Sequence, residues 1–197
     1  MVSTGSDSAS GAATGAREST PPHGLRLVID FVNTLDLETG VDELASVDGL
    51  SRWFSASGLI EPGDATPNER DRRRAIELRE ALRELMLAHT DRERAPAAGA
   101  ALDRVARAGA LTVSFGADGS AHVDAHAAGF ARALARLLIP IVAAGPDGSW
   151  ERVKACRADD CSWAFYDRSR NRSGVWCDMA VCGNRTKVRA FRARGRR

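Results

Sequence analysis

The sequence predicts an α+β protein, mainly α: a helical N-terminal domain with one β-hairpin, followed by a small C-terminal module that ends in a basic helix. Three observations carry this. Apolar residues recur at spacings of three and four over much of the first 144 residues. One stretch, residues 111–125, alternates with period two instead. All four cysteines fall in the last 42 of the 197 residues, as Cys156-x4-Cys161 and Cys177-x4-Cys182 with fifteen residues between the pairs.

In chain order, residues 1–22 are rich in Ser, Thr, Gly and Ala without an apolar run, which predicts a disordered tail and no signal peptide. Leu27, Val28, Ile29, Phe31, Val32 and Leu35 crowd together, and a buried helix is expected over Val28–Thr34. Val47–Ser57 is a second helix, stopped at Gly58. Thr66-Pro67-Asn68-Glu69 starts a third: Thr66 as cap, Pro67 in the first turn, Glu69 closing a capping box. It runs to about Thr90 with Ala75, Leu78, Leu82, Leu85 and His89 on one face. Ala97–Ala108 is a further helix. Leu111, Val113 and Phe115, the turn Ala117-Asp118-Gly119, and Ala121, Val123 and Ala125 form a hairpin. Gly129–Ala144 is a buried helix, bent or ended near Pro140. Gly145-Pro146-Asp147-Gly148 reads as a linker. The expected division is therefore a tail at 1–22, a helical domain at 23–145 that folds independently, and a module at 150–197, with no internal repeat.

The net charge of +2 hides a reversal at this linker: residues 1–149 carry −6 and residues 150–197 carry +8. A basic end on an acidic body points to an anionic partner, of which nucleic acid is the commonest. The most apolar stretch, Ala127–Ala144, is interrupted by Arg132 and Arg136 and is too short for a membrane span. A cytoplasmic location is expected, and in a reducing compartment clustered cysteines favour a metal over disulfides.

Two close cysteine pairs on either side of a short excursion can surround one tetrahedral Zn²⁺. The fifteen-residue gap is long enough for two short strands and a turn. All four histidines precede the cysteine segment, so Cys156, Cys161, Cys177 and Cys182 are expected to close a structural site with one Zn²⁺. Trp163, Phe165, Tyr166 and Trp176 are expected to form the core of this small module. Exposure of Trp163 or Tyr166 would instead favour stacking on single-stranded RNA.

Around the last cysteine the chain reads Trp176-Cys177-Asp178-Met179-Ala180-Val181-Cys182-Gly183-Asn184-Arg185. This resembles the CGNR zinc finger family, named for its terminal Cys-Gly-Asn-Arg. The likeness extends through Phe165, Asp167, Ser169, Arg170 and Asn171, and on through Lys187, Val188, Arg192 and Arg194, covering about residues 150–195. Val175 departs from the pattern, standing where the family carries a basic residue. The N-terminal part resembles the ABATE domain that accompanies this finger. The residues concerned are Leu27 to Thr34, the Leu50-x-x-Trp53 segment ending at Gly58-Leu59-Ile60, and the Leu78 to Arg83 helix. The resemblance implies a transcriptional regulator.

Residues 183–194 can continue as a helix from the last zinc ligand, with Arg185, Arg189, Arg192 and Arg196 on one face and Val188 and Phe191 packed on the finger. Arg168, Arg170, Asn171 and Arg172 make a second basic cluster; Asn184, Lys187 and Arg194 complete the candidate nucleic-acid contacts. Asn33, Arg79 and Arg83 are candidates for an effector pocket in the helical domain, against a plainer role in ion pairing and capping. No nucleophile–base pair, phosphate loop or carboxylate pair stands out, and no enzyme is expected. The expected partners are nucleic acid, with DNA ahead of RNA, a small-molecule effector, and a second copy of the chain as a homodimer. The rival is a protein-interaction domain whose zinc is purely structural.

Overall fold

A computed structural model describes residues 21–194; the tail expected over residues 1–22 therefore lies almost wholly outside the described residues, as does Arg196. Helices α1 (Leu25–Val32), α2 (Val47–Ala56), α3 (Glu69–Asp91) and α4 (Pro96–Ala108) come first. An antiparallel hairpin, β1 (Leu111–Phe115) and β2 (Ala121–Ala125), follows in the register Leu111 to Ala125. Then come α5 (Phe130–Arg136), α6 (Ile139–Ala144), a second antiparallel hairpin of β3 (Val153–Ala155) and β4 (Ala164–Tyr166), and the terminal α7 (Asn184–Arg194).

Local chemistry sets the helix ends. Ser46 caps α2 through its hydroxyl, which accepts from Gly49 N. The start of α3 differs from the expectation: Asn68, not Thr66, is the cap, and Asp71, not Glu69, closes the box. The Asn68 side chain accepts from the N–H groups of Arg70 and Asp71, while Pro67 stays outside the helix. The expected helix across Pro140 is two helices, broken at Leu137 and Leu138 because proline cannot donate into the preceding turn.

The core gathers the apolar faces of α1, α2, α3 and α5. Phe31, Phe54, Leu25, Leu50, Leu78, Leu82 and Met86 are fully enclosed. Phe54 lies between Phe31, with ring centroids 5.9 Å apart, and Phe130, at 4.7 Å. The same core also contains Val153, Ala155 and Ala164, from β3 and β4. The linker at residues 145–148 thus does not divide the main core from the second hairpin. That hairpin lies against α3 and α1, and the first hairpin is the more exposed, with Val113 and Phe115 facing solvent.

Polar clamps fasten the second hairpin. Asn33, just past α1, donates from Nδ2 to Ala164 O (3.0 Å) and accepts from Ala164 N (2.7 Å), pairing like a further strand. Arg83 donates to Val32 O (2.8 Å) and to Ser162 O (3.0 Å). Arg79 is 2% exposed and grips Asp42 with both terminal nitrogens, at 2.6 and 3.0 Å. These three residues, candidates for an effector pocket, therefore spend their polar groups inside the protein. A guanidinium this deeply buried must be paired, and Arg79 and Arg83 are. The plainer alternative of ion pairing holds, since Arg79 and Arg83 both pair with Glu80, at 2.9 and 3.1 Å, although the two guanidinium groups are buried and not on the surface.

His89 on α3 joins the same seam. Its Nδ1 donates to Val153 O (2.8 Å), and its ring meets Trp150 edge-on. Burial pushes its pKa below the ordinary 6.5, against a smaller opposing pull from the carbonyl. The neutral ring is the one folding favours, so the unfolded chain binds the proton more readily. Stability from this residue is fully present above about 6.5 and falls as pH drops towards the folded value. Denaturant midpoints between pH 7.5 and 5.5 should fall less steeply in His89→Asn, which keeps a donor near Nδ1 but does not titrate. Equal slopes would remove His89 from the pH response.

Candidate metal centre and basic face

β3 delivers Cys156 to the end of its strand, and the turn into β4 carries Cys161. The hairpin thus straddles the first cysteine pair, instead of two strands filling the gap between pairs as expected. Cys156 N donates to Trp163 O (2.9 Å), closing the loop that turns both sulfurs inward. The second pair comes from residues 177–183, where Asp178 Oδ1 accepts from Ala180 N (2.7 Å) and Val181 N (3.0 Å) to cap a wide helical turn, Met179–Gly183. That turn sets Cys182 beside Cys177 and leads directly into α7.

All four Sγ atoms lie within 4.8 Å of one another. Cys161 to Cys177 is 3.6 Å and Cys177 to Cys182 is 3.7 Å. Zn–S bonds of about 2.3 Å in a tetrahedron put sulfurs about 3.8 Å apart. A disulfide requires about 2.05 Å, and the cysteines are free thiols. The electrostatics agree. Burial pushes Cys161 up to about 11, and pushes Cys177 higher still, with the Cys156 charge adding to it. For Cys156 burial also opposes ionisation, but backbone N–H groups of Ala158 and Cys177 outweigh it and its pKa falls. Four thiolates cannot coexist here without a compensating cation, and the donor set is that of one structural Zn²⁺.

Each residue of Cys182-Gly183-Asn184-Arg185 has a local task. A Cβ at Gly183 would meet Met179 Sδ and stand 3.1 Å from Trp176 Cδ1, so a larger residue would displace the Met179 side chain. Asn184 Nδ2 donates to Ala180 O (3.1 Å), tying α7 to the wide turn. Arg185 donates to Cys182 Sγ (3.4 Å) and to Glu38 Oε1 (2.8 Å), and lies 3.6 Å from Asp160. These contacts raise its pKa, Glu38 contributing most. Asp160 Oδ2 also accepts from Arg189 (2.8 Å).

The expected basic residues thus separate into two groups. Arg185 and Arg189 face Glu38 and Asp160, and Arg172 pairs with Glu151 (3.0 Å). Arg168, Arg170 and Asn171 are exposed on the loop before Arg172. Lys187, Arg192 and Arg194 are exposed on α7, and no carboxylate pairs with them among the described residues. Val188 and Phe191, expected to pack on the finger, are 46% and 71% exposed, because α7 leaves the body after its first turn. The aromatics also divide. Trp176 packs on the cysteine cluster and Tyr166 on the main core, while Trp163 is 37% exposed.

One buried pair was not anticipated from the sequence. Lys154 Nζ reaches Asp167 Oδ2 (2.7 Å), Arg172 O (2.7 Å) and Gly174 O (3.0 Å), satisfying all three of its protons. Asp167 accepts in turn from Ser169 N and Gly174 N, both at 2.9 Å. This pair shapes the basic loop from inside. Its one sequence signal was Asp167, which belongs to the family likeness.

No curated protein matches the chain. Two family models do. The ABATE model, described as "Putative stress-induced transcription regulator", matches residues 25–145. The CGNR zinc finger model matches residues 152–195, which contain all four clustered thiols. The chain belongs to the ABATE family and carries a CGNR zinc finger at its C-terminal end.

Proposed function

We propose that this protein is a transcriptional regulator that binds DNA through its zinc finger and α7, in a binding rather than a catalytic role. The observation that carries the proposal is the set of exposed cations distributed around α7. Lys187, Arg192 and Arg194 project from a helix rooted at the buried Cys182, with no acidic partner among the described residues. The metal anchors the helix, and the free half of it carries the charge. Arg168 and Arg170 on the loop add phosphate contacts, while Arg185 and Arg189 position α7 through Asp160 and Glu38. The family description supports the regulatory role.

Anisotropy titrations of the zinc-loaded chain should give a log–log salt slope from which Lys187→Ala, Arg192→Ala and Arg194→Ala each remove about one, as expected for a lost phosphate contact. Arg185→Ala should leave the slope nearly unchanged and lower the melting temperature instead. A side chain that reads a base would cost about 1–3 kcal/mol and relax the preference at one position. The exposed face of Trp163 favours a second reading, in which it stacks on an unpaired base of RNA. Random duplex, selected duplex and single-stranded RNA separate the two. Salt-independent or absent binding to all three would leave a protein-interaction module.

A further inference from the structure

The helical domain holds a cleft that the clamp residues do not reach. It lies where α3, α4 and α5 converge and has a volume of about 240 Å³. Its wall is apolar: Leu78 from α3, Ala101, Val105 and Ala108 from α4, and Ala131 and Leu134 from α5. Three of these six side chains are alanines, at a junction where close packing normally calls for larger residues. The helices cannot settle closer to fill the gap. At the adjoining end of α4 the backbone of Gly109 already presses on α5, where an added Cβ would stand 2.1 Å from Ala135 Cβ and 2.9 Å from Ala131 O.

The mouth carries Arg74, Arg104 and Glu77. Several arginines of this domain are matched, Arg72 with Glu69, Arg79 with Asp42, Arg107 with Asp103 and Arg132 with Asp64. Arg104 has no ion pair or hydrogen bond among the described residues. Arg74 has only a 3.9 Å approach to Asp71, too long for a hydrogen bond. Two guanidinium groups stand over an apolar hollow, with Glu77 in the lining and Asp71 beside Arg74.

We propose that this cleft binds a small apolar monocarboxylate, its hydrocarbon body against the alanine-lined wall and its carboxylate at Arg74 and Arg104. The volume, at the small end of ligand pockets, suits one aromatic ring or a short aliphatic chain. Glu77 in the lining and Asp71 beside Arg74 offset the two guanidinium charges, so the mouth has no surplus for a second negative charge, which selects against dianions such as phosphate esters. The site is separate from Asn33, Arg79 and Arg83, and does not depend on the nucleic-acid reading.

Calorimetry on the full-length, zinc-loaded chain tests this with phenylacetate, indole-3-acetate and hexanoate as probes and benzyl alcohol as the neutral control. At least one carboxylate should bind saturably at one site per chain, and benzyl alcohol at least about tenfold more weakly, since a bond to a charged group is being withheld. Arg104→Gln, at an exposed position, should weaken the carboxylate about tenfold. Ala101→Leu should abolish binding without lowering the melting temperature. If Ala101→Leu does not fold, Arg104→Gln decides alone. No saturable binding by any of the three acids overturns the proposal. So does equal binding of benzyl alcohol, or affinity unchanged in Arg104→Gln.

Discussion

Cys182→Ser is expected to empty the metal site and to destabilise the whole chain, not the finger alone. A structural zinc supplies apparent binding free energy of about 10–16 kcal/mol, comparable to or above the total stability of an ordinary domain, about 5–15 kcal/mol. The finger cannot hold its fold without it. Loss then spreads, because β3 and β4 supply Val153, Ala155 and Ala164 to the common core. Exposing one buried valine costs about 1.5–3 kcal/mol, and the clamps from Asn33, Arg83 and His89 lose their partners as well. Even a loss of about 3 kcal/mol lowers the melting temperature by roughly 6–12 °C in a chain of this size. Elemental analysis should give near-zero zinc, and helix content should melt well below the parent protein. An unchanged helical melt in a zinc-free variant would show that the two halves are energetically separate, and a variant retaining stoichiometric zinc would remove Cys182 from the site.

Asp167→Ala should cost about 3–5 kcal/mol, because it leaves the Lys154 ammonium 3% exposed and without its counter-charge. The loop carrying Arg168 to Arg172 loses its internal brace at the same time, since Asp167 also holds the N–H groups of Ser169 and Gly174. The double replacement Lys154→Met with Asp167→Leu should recover some of the loss by removing both charges together. Burial works against the Asp167 carboxylate, but the Lys154 ammonium and the loop N–H groups prevail and hold its pKa at about 2. Its contribution is therefore present above about 3.9, the unfolded value, and is lost as pH falls through about 2. Chemical denaturation of single and double variants measures the coupling. A single variant as stable as the parent would mean that the pair contributes nothing.

What the sequence could reveal was whatever is local. The α3 face of Ala75, Leu78 and Leu82, the period-two run of residues 111–125 and the paired cysteine spacing are written within a few turns of chain, and each reappears in the structure. The cap of α3 slipped by two residues because Thr66 and Asn68 are both good caps and only geometry chooses between them. What stayed hidden depends on distant partners. Asn33 meets Ala164 across 131 residues, and Arg185 meets Glu38 across 147. No periodicity marks such a pair. A surface arginine and a buried one look alike in sequence until the carboxylate that neutralises each has been found. Phe191 misled for the opposite reason: its spacing is that of a packed residue, but α7 has no neighbour there.

Arg83 bonds the last carbonyl of α1 and the carbonyl of Ser162 in the same instant, so one guanidinium reports on both halves of the chain. If the proposed carboxylate binds the cleft on α3 and is coupled to zinc through this link, the two must be thermodynamically reciprocal. A ligand that tightens α3 by some factor in its preference for the zinc-loaded fold must itself be bound more tightly by that same factor when zinc is present. Zinc depletion would then act as a signal in its own right, and the helical domain would register it without any contact with the metal.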